Sequence, residues 1–75
     1  MEAILKFNLP DDTSEFEMAT KGSDMHSALW EMDQWLRGHI KYAPDEMSEE
    51  AYSAFEECRE QLRTIIQEHN INFNL

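Results

Sequence analysis

Residues 48–69 read SEEAYSAFEECREQLRTIIQEH, and their spacing decides the fold. Ala51, Ala54, Phe55, Cys58, Leu62, Ile65, Ile66 and His69 recur at three- and four-residue steps, the period of an amphipathic α-helix. Ser48 offers an N-cap hydroxyl, and Glu49 and Glu50 fall in the first turn, where the helix dipole favours negative charge. The stripe predicts a helix that reaches about His69, closed by Asn70 in the left-handed conformation. Cys58 lies on this stripe and reads as a small buried hydrophobe.

Upstream, Met25, Ala28, Leu29, Met32, Leu36, His39 and Ile40 repeat the same period. They predict a second helix, capped by Ser23 or Asp24, that runs to about Tyr42 and stops before Pro44. Trp35 borders its apolar stripe and reads as core. Pro44-Asp45-Glu46 then forms a short acidic loop. Thr13–Lys21 predicts a short helix, with Asp12 and Glu15 at capping-box spacing and Gly22 as the residue that closes it. The competing reading there is a strand, since Phe16, Met18 and Thr20 also alternate.

The two ends of the chain have period two instead. Ala3, Leu5, Phe7 and Leu9 alternate with Glu2, Ile4, Lys6 and Asn8 until Pro10 ends the run. Ile71, Phe73 and Leu75 alternate with Asn72 and Asn74. Pairing these two segments gives an α+β fold of order β-α-α-α-β. Three helices pack on a short two-stranded sheet formed by the chain termini, as one small domain over residues 1–75. Such a sheet has exposed edges that invite a neighbouring chain.

Composition narrows the function classes. Sixteen acidic against six basic residues give a formal net charge of −10, which repels nucleic-acid backbone and anionic lipid and attracts basic protein grooves. No direct nucleic-acid binding is expected. An apolar content of 41% with two Trp, four Phe and two Tyr is too high for a disordered acidic tail. A single core is hard to sustain at 75 residues, so a homo-oligomer is expected. The apolar start Ala3-Ile4-Leu5 is interrupted by Lys6 and Asn8, so no signal peptide is read, and no run is long enough to span a membrane. The expected compartment is the cytoplasm.

Chemistry is sparse. Cys58 stands alone, so no intrachain disulfide forms. The three His residues and Cys58 show no metal-ligand spacing, and no cofactor is expected. No His neighbours Cys58 in sequence, the serines read as caps or helix residues, and Gly22 and Gly38 make no phosphate loop. An enzyme is not expected.

The candidate binding residues are Trp30, Arg37 and Lys41 on the second helix and Tyr52, Arg59 and Arg63 on the third. An aromatic ring near two cations is the chemistry that stacks a base and holds a phosphate. The plainer account of the cations is helical ion pairing: Asp33 with Arg37, Glu56 with Arg59, and Glu60 with Arg63. Trp30, a large ring on an otherwise polar helix face, marks a contact site. The carboxylates cluster at Asp11, Asp12, Glu15 and Glu17, at Asp45, Glu46, Glu49 and Glu50, and at Glu56, Glu57 and Glu60. Together they exceed the charge of about 2–8 that solubility asks of a small domain.

Residues 7–12, FNLPDD, followed by Glu15–Ala19 and by Asp24–Arg37, DMHSALWEMDQWLR, resemble a family of small bacteriophage-encoded proteins of mostly unassigned function. The likeness covers most of the first 42 residues and continues loosely through Ile40-Lys41-Tyr42 and the Ile71-Asn72 ending. It brings no active-site residues with it. It implies a protein that acts in the host cell cytoplasm and inhibits an anti-phage defence system by binding. Either an oligomer sequesters a small nucleotide signal, or the protein blocks a host defence protein. The alternatives are an acidic DNA mimic that occupies a nucleic-acid-binding enzyme, and an accessory protein of phage replication or assembly.

Overall fold

A helical hairpin dominates the computed structural model, which describes residues 1–73. Helix α1 spans Thr13–Thr20, α2 spans Gly22–Lys41 and α3 spans Glu49–Glu68. The loop from Tyr42 to Ser48 turns the chain back, so α2 and α3 lie antiparallel. Three contacts fix their register. His39 stacks on Phe55 with ring centroids 4.6 Å apart, Asp33 meets Arg59, and His26 meets the chain beyond α3.

Local chemistry explains where α3 starts and stops. The Ser48 hydroxyl accepts the Ala51 N–H at 3.1 Å, as the N-cap reading requires. At the other end Asn70 has φ 56°, the left-handed conformation that asparagine tolerates better than most residues. The Ile71 N–H donates to the Ile66 carbonyl and the Asn70 N–H to the Gln67 carbonyl. This pair of bonds is a Schellman motif, and it sends Ile71 back over the last turn of α3.

The expected α+β fold is not found: no strand forms among the described residues. Both ends are engaged in other ways. After the Schellman turn, His26 donates its Nε2 proton to the Asn72 carbonyl at 2.7 Å and meets the Phe73 ring edge-on at 5.2 Å. The tail therefore joins α2 rather than the N-terminus. Residues 1–8 run without a ladder partner, and a lone two-stranded pair is marginal in water. Asn74 and Leu75, the end of the expected second strand, lie outside the described residues.

The first helix forms where expected and ends at Thr20, so the strand reading of that segment falls. Its capping box does not form. Asp12 turns back instead, its carboxylate accepting from the Asn8 N–H at 2.9 Å while its own N–H reaches the Asn8 carbonyl. Gly22 does not close α1 in a left-handed turn. It opens α2, with only Lys21 between the helices, and neither Ser23 nor Asp24 caps it. Phe16 on α1 packs edge-on against Phe7, 5.7 Å away, which ties the N-terminal arm to this helix.

The core is slight. Leu36 and Ile66 are the buried apolar side chains among the described residues, and the seam is extended by half-buried Leu29, Ile40, Phe55 and Leu62. The rest of each stripe looks outward. Met25, Ala28 and Met32 on α2, and Ala54, Cys58 and Ile65 on α3, are exposed. Two expectations are corrected here. Cys58 is exposed, and Trp35, which touches His39 and Phe55 edge-on, remains 56% exposed. Each stripe is wider than one neighbouring helix can cover, so half of it is left over.

Candidate binding face

Asp33 is the most buried side chain described, at 2% exposure, and it sits in the middle of the seam. It occupies a core register, four residues after Leu29 and three before Leu36. A carboxylate there needs partners, because an unpaired buried charge is costly. It has them: Arg59 donates through Nε to Oδ1 at 3.2 Å and through Nη2 to Oδ2 at 3.4 Å. Arg63 Nη1 lies 3.5 Å from both oxygens, and Gln34 Nε2 donates at 3.2 Å. Every buried polar side-chain atom described has a partner.

This cluster replaces all three expected helical ion pairs. Asp33 does not pair with Arg37, nor Glu56 with Arg59, nor Glu60 with Arg63; the ion pairs among the described residues are those of Asp33 across the seam. One carboxylate facing two guanidiniums leaves a net positive charge. The Arg63 side chain is about half exposed, so part of its donor fork reaches solvent.

The six candidate residues fall together. With about 100° of rotation per residue, positions separated by seven and four share a helix face. Trp30, Arg37 and Lys41 have that spacing on α2; Tyr52, Arg59 and Arg63 have it on α3. Antiparallel packing turns both sets toward the same side of the hairpin. Arg59 and Arg63 lie at the seam on Asp33, and Tyr52 is half-buried near the loop. Trp30, Arg37 and Lys41 are exposed along α2, and the Lys41 ammonium lies 5.4 Å from the Tyr42 ring centroid.

Sequence reading missed Asp33 as the hub, although its place within an apolar stripe was the available signal. Among the described residues no three His, Cys, Asp or Glu side chains gather where a metal ion could be held. No helix described is long and apolar enough to cross a membrane. Comparison with protein-family models, with curated proteins and with solved structures finds no match.

Proposed function

We propose that the protein does no chemistry of its own and holds a small phosphate-bearing ligand, a nucleotide, on the α2 side of the hairpin. One observation carries this reading. In a chain with sixteen carboxylates and six Lys or Arg residues, Arg37 and Lys41 are exposed and form no ion pair among the described residues. They share a helix face with the half-exposed indole of Trp30. A guanidinium and an ammonium take phosphate, and the indole takes a base by stacking. Arg59 and Arg63 support the site indirectly, since Asp33 holds them and leaves one positive charge at its edge. Joined to the resemblance to small bacteriophage proteins, this makes the protein a sequestering inhibitor of a host defence signal in the host cytoplasm.

A second reading rests on a different observation. Asp45, Glu46, Glu49 and Glu50 crowd the hairpin loop, all exposed and without ion pairs among the described residues. Such a cluster suits a basic groove on a host defence protein or a nucleic-acid enzyme.

Native mass spectrometry of protein purified from expressing cells, followed by calorimetry with mono-, di- and cyclic nucleotides, separates the two. Sequestration requires a bound nucleotide that is lost in Trp30→Ala and Arg37→Ala while helicity is kept. It is unaffected by Glu49→Lys with Glu50→Lys. Protein that carries no nucleotide and binds none of the panel overturns the ligand reading. Salt-sensitive capture of a host protein, lost in the Glu49→Lys and Glu50→Lys double variant, would establish the acidic reading in its place. An accessory protein would be indifferent to both sets of variants.

A further inference from the structure

Opposite the Trp30 side, the hairpin has an apolar strip edged by Glu31 on α2 and Glu57 on α3. Met25, Met32 and Trp35 on α2 fall within an arc of about 80°, and Ala54, Cys58 and Ile65 occupy the matching arc of α3. Because the helices are antiparallel, both arcs face the same way. No Asp, Glu, Lys or Arg falls on either one, although 22 of the 75 residues carry such side chains. Met25, Met32 and Trp35 are each at least half exposed, and Cys58 and Ile65 are exposed as well.

We infer that this surface is the interface of a homodimer, closed by the same surface of a second copy into an antiparallel four-helix bundle. The shape of the chain leaves the hairpin open to a second layer. Its radius of gyration is 17.6 Å, where a compact chain of this length has about 11 Å. The two long helices, α2 beside α3, make one layer, whereas a stable domain packs at least two around its core. The exposed surface is 6665 Å², against about 4,800 Å² expected for a folded monomer of this mass. The exposed N-terminal arm, with Met1, Ile4, Leu5 and Leu9, shares in this surplus, which is more than twice the roughly 800 Å² that each partner buries in a standard interface.

Charge selects the occupant. Two copies at −10 each repel wherever carboxylates meet, and the middle of this strip carries none, with Glu31 and Glu57 standing at its edges. A second copy is also the partner present whenever the chain is, and a two-fold axis buries the same side chains on both. The N-terminal arm is not the cover: Ile4 and Leu5 are themselves almost fully exposed. The dimer leaves Trp30, Arg37 and Lys41 on its outside, so it stands or falls independently of the ligand reading.

Sedimentation equilibrium of the full chain across a wide concentration range tests it. The wild type sediments at twice the chain mass and melts at higher temperature as concentration rises. Met32→Glu and Ile65→Glu each halve that mass, while Met32→Leu and Ile65→Val preserve it. Should a charged variant unfold, the wild type still decides the matter. In a mixture of methionine-methyl-labelled and unlabelled chains, isotope-filtered contacts run from Met32 of one copy to Trp35 or Ile65 of the other. A wild type that is monomeric throughout overturns the inference. So does a dimer whose cross-copy contacts lie at Trp30 instead.

Discussion

The two sides of the α2–α3 seam are built from the same pair of helices and share almost nothing else. One carries methionines, alanines, Trp35, Cys58 and Ile65, with carboxylates only at its edges, Glu31 and Glu57 among them. The other carries every cation of the two helices, with Trp30 half exposed among them. A chain at −10 would scatter its few cations if they served only to offset carboxylates. Instead two are anchored to one buried Asp and two form no ion pair among the described residues. The difference teaches that the apolar side supplies what the thin core lacks, while the polar side is free to specialise.

Both sides hang on the seam, so the largest effect comes from breaking it. Ile66 is buried, sits in the last turns of α3, and receives the Schellman bond from Ile71. Ile66→Ala should lower unfolding free energy by about 2–5 kcal/mol, the range for truncating a buried aliphatic side chain. With so few buried neighbours, the chain has little else to fall back on. Urea titration followed by helical circular dichroism measures it. A loss under about 1 kcal/mol would mean that the seam is not where the two sides are joined.

Next in size is the charge at the centre of that seam. Asp33→Ala leaves Arg59 and Arg63 facing each other without their carboxylate, and should cost about 2–3 kcal/mol. The figure sits below that for a fully enclosed pair because Arg63 is half exposed and Arg59 a quarter exposed. Replacing Asp33 by Leu together with Arg59→Met should recover most of the loss, since apolar side chains can substitute for a buried ion pair. Failure of the double variant to recover would mean that Asp33 acts through something other than these two arginines.

What the sequence made legible was local. Ser48 and Asn70 do what their side chains do at helix ends generally, and the stripes of α2 and α3 have an unambiguous period. The sheet was misread because alternation in residues 3–9 and 71–75 describes an extended segment, and pairing is decided elsewhere. A single residue, Asn70, turns the C-terminal segment onto α2 and away from any strand partner. The ion pairs were misread for a related reason. Asp33 has Arg37 four residues away, yet takes Arg59 and Arg63, which lie 26 and 30 positions off, because they arrive where it is buried. Nor does periodicity say which half of a wide stripe faces its neighbour, which is how Trp35 and Cys58 came to be placed inside. The six candidate residues gather on one side because heptad-like spacing and antiparallel pairing are both geometric rules. Asp33 at their centre needed the third dimension.

The smallest effect sharpens the comparison most. If the polar side serves binding rather than folding, its unpaired cations should contribute almost nothing to stability. Arg37→Gln keeps length, helix propensity and hydrogen-bonding capacity while removing the charge, and no described ion pair is lost with it. The expected change in unfolding free energy lies within about 0.5 kcal/mol, as for ordinary surface positions. Its sign should be slightly unfavourable, since a cation is removed from a strongly negative chain, and salt should erase it. Met32→Gln removes a side chain of similar length from the opposite side and should cost more, by an amount that grows with protein concentration if a second copy covers it. Equal costs for the two substitutions would mean that the two sides do the same job.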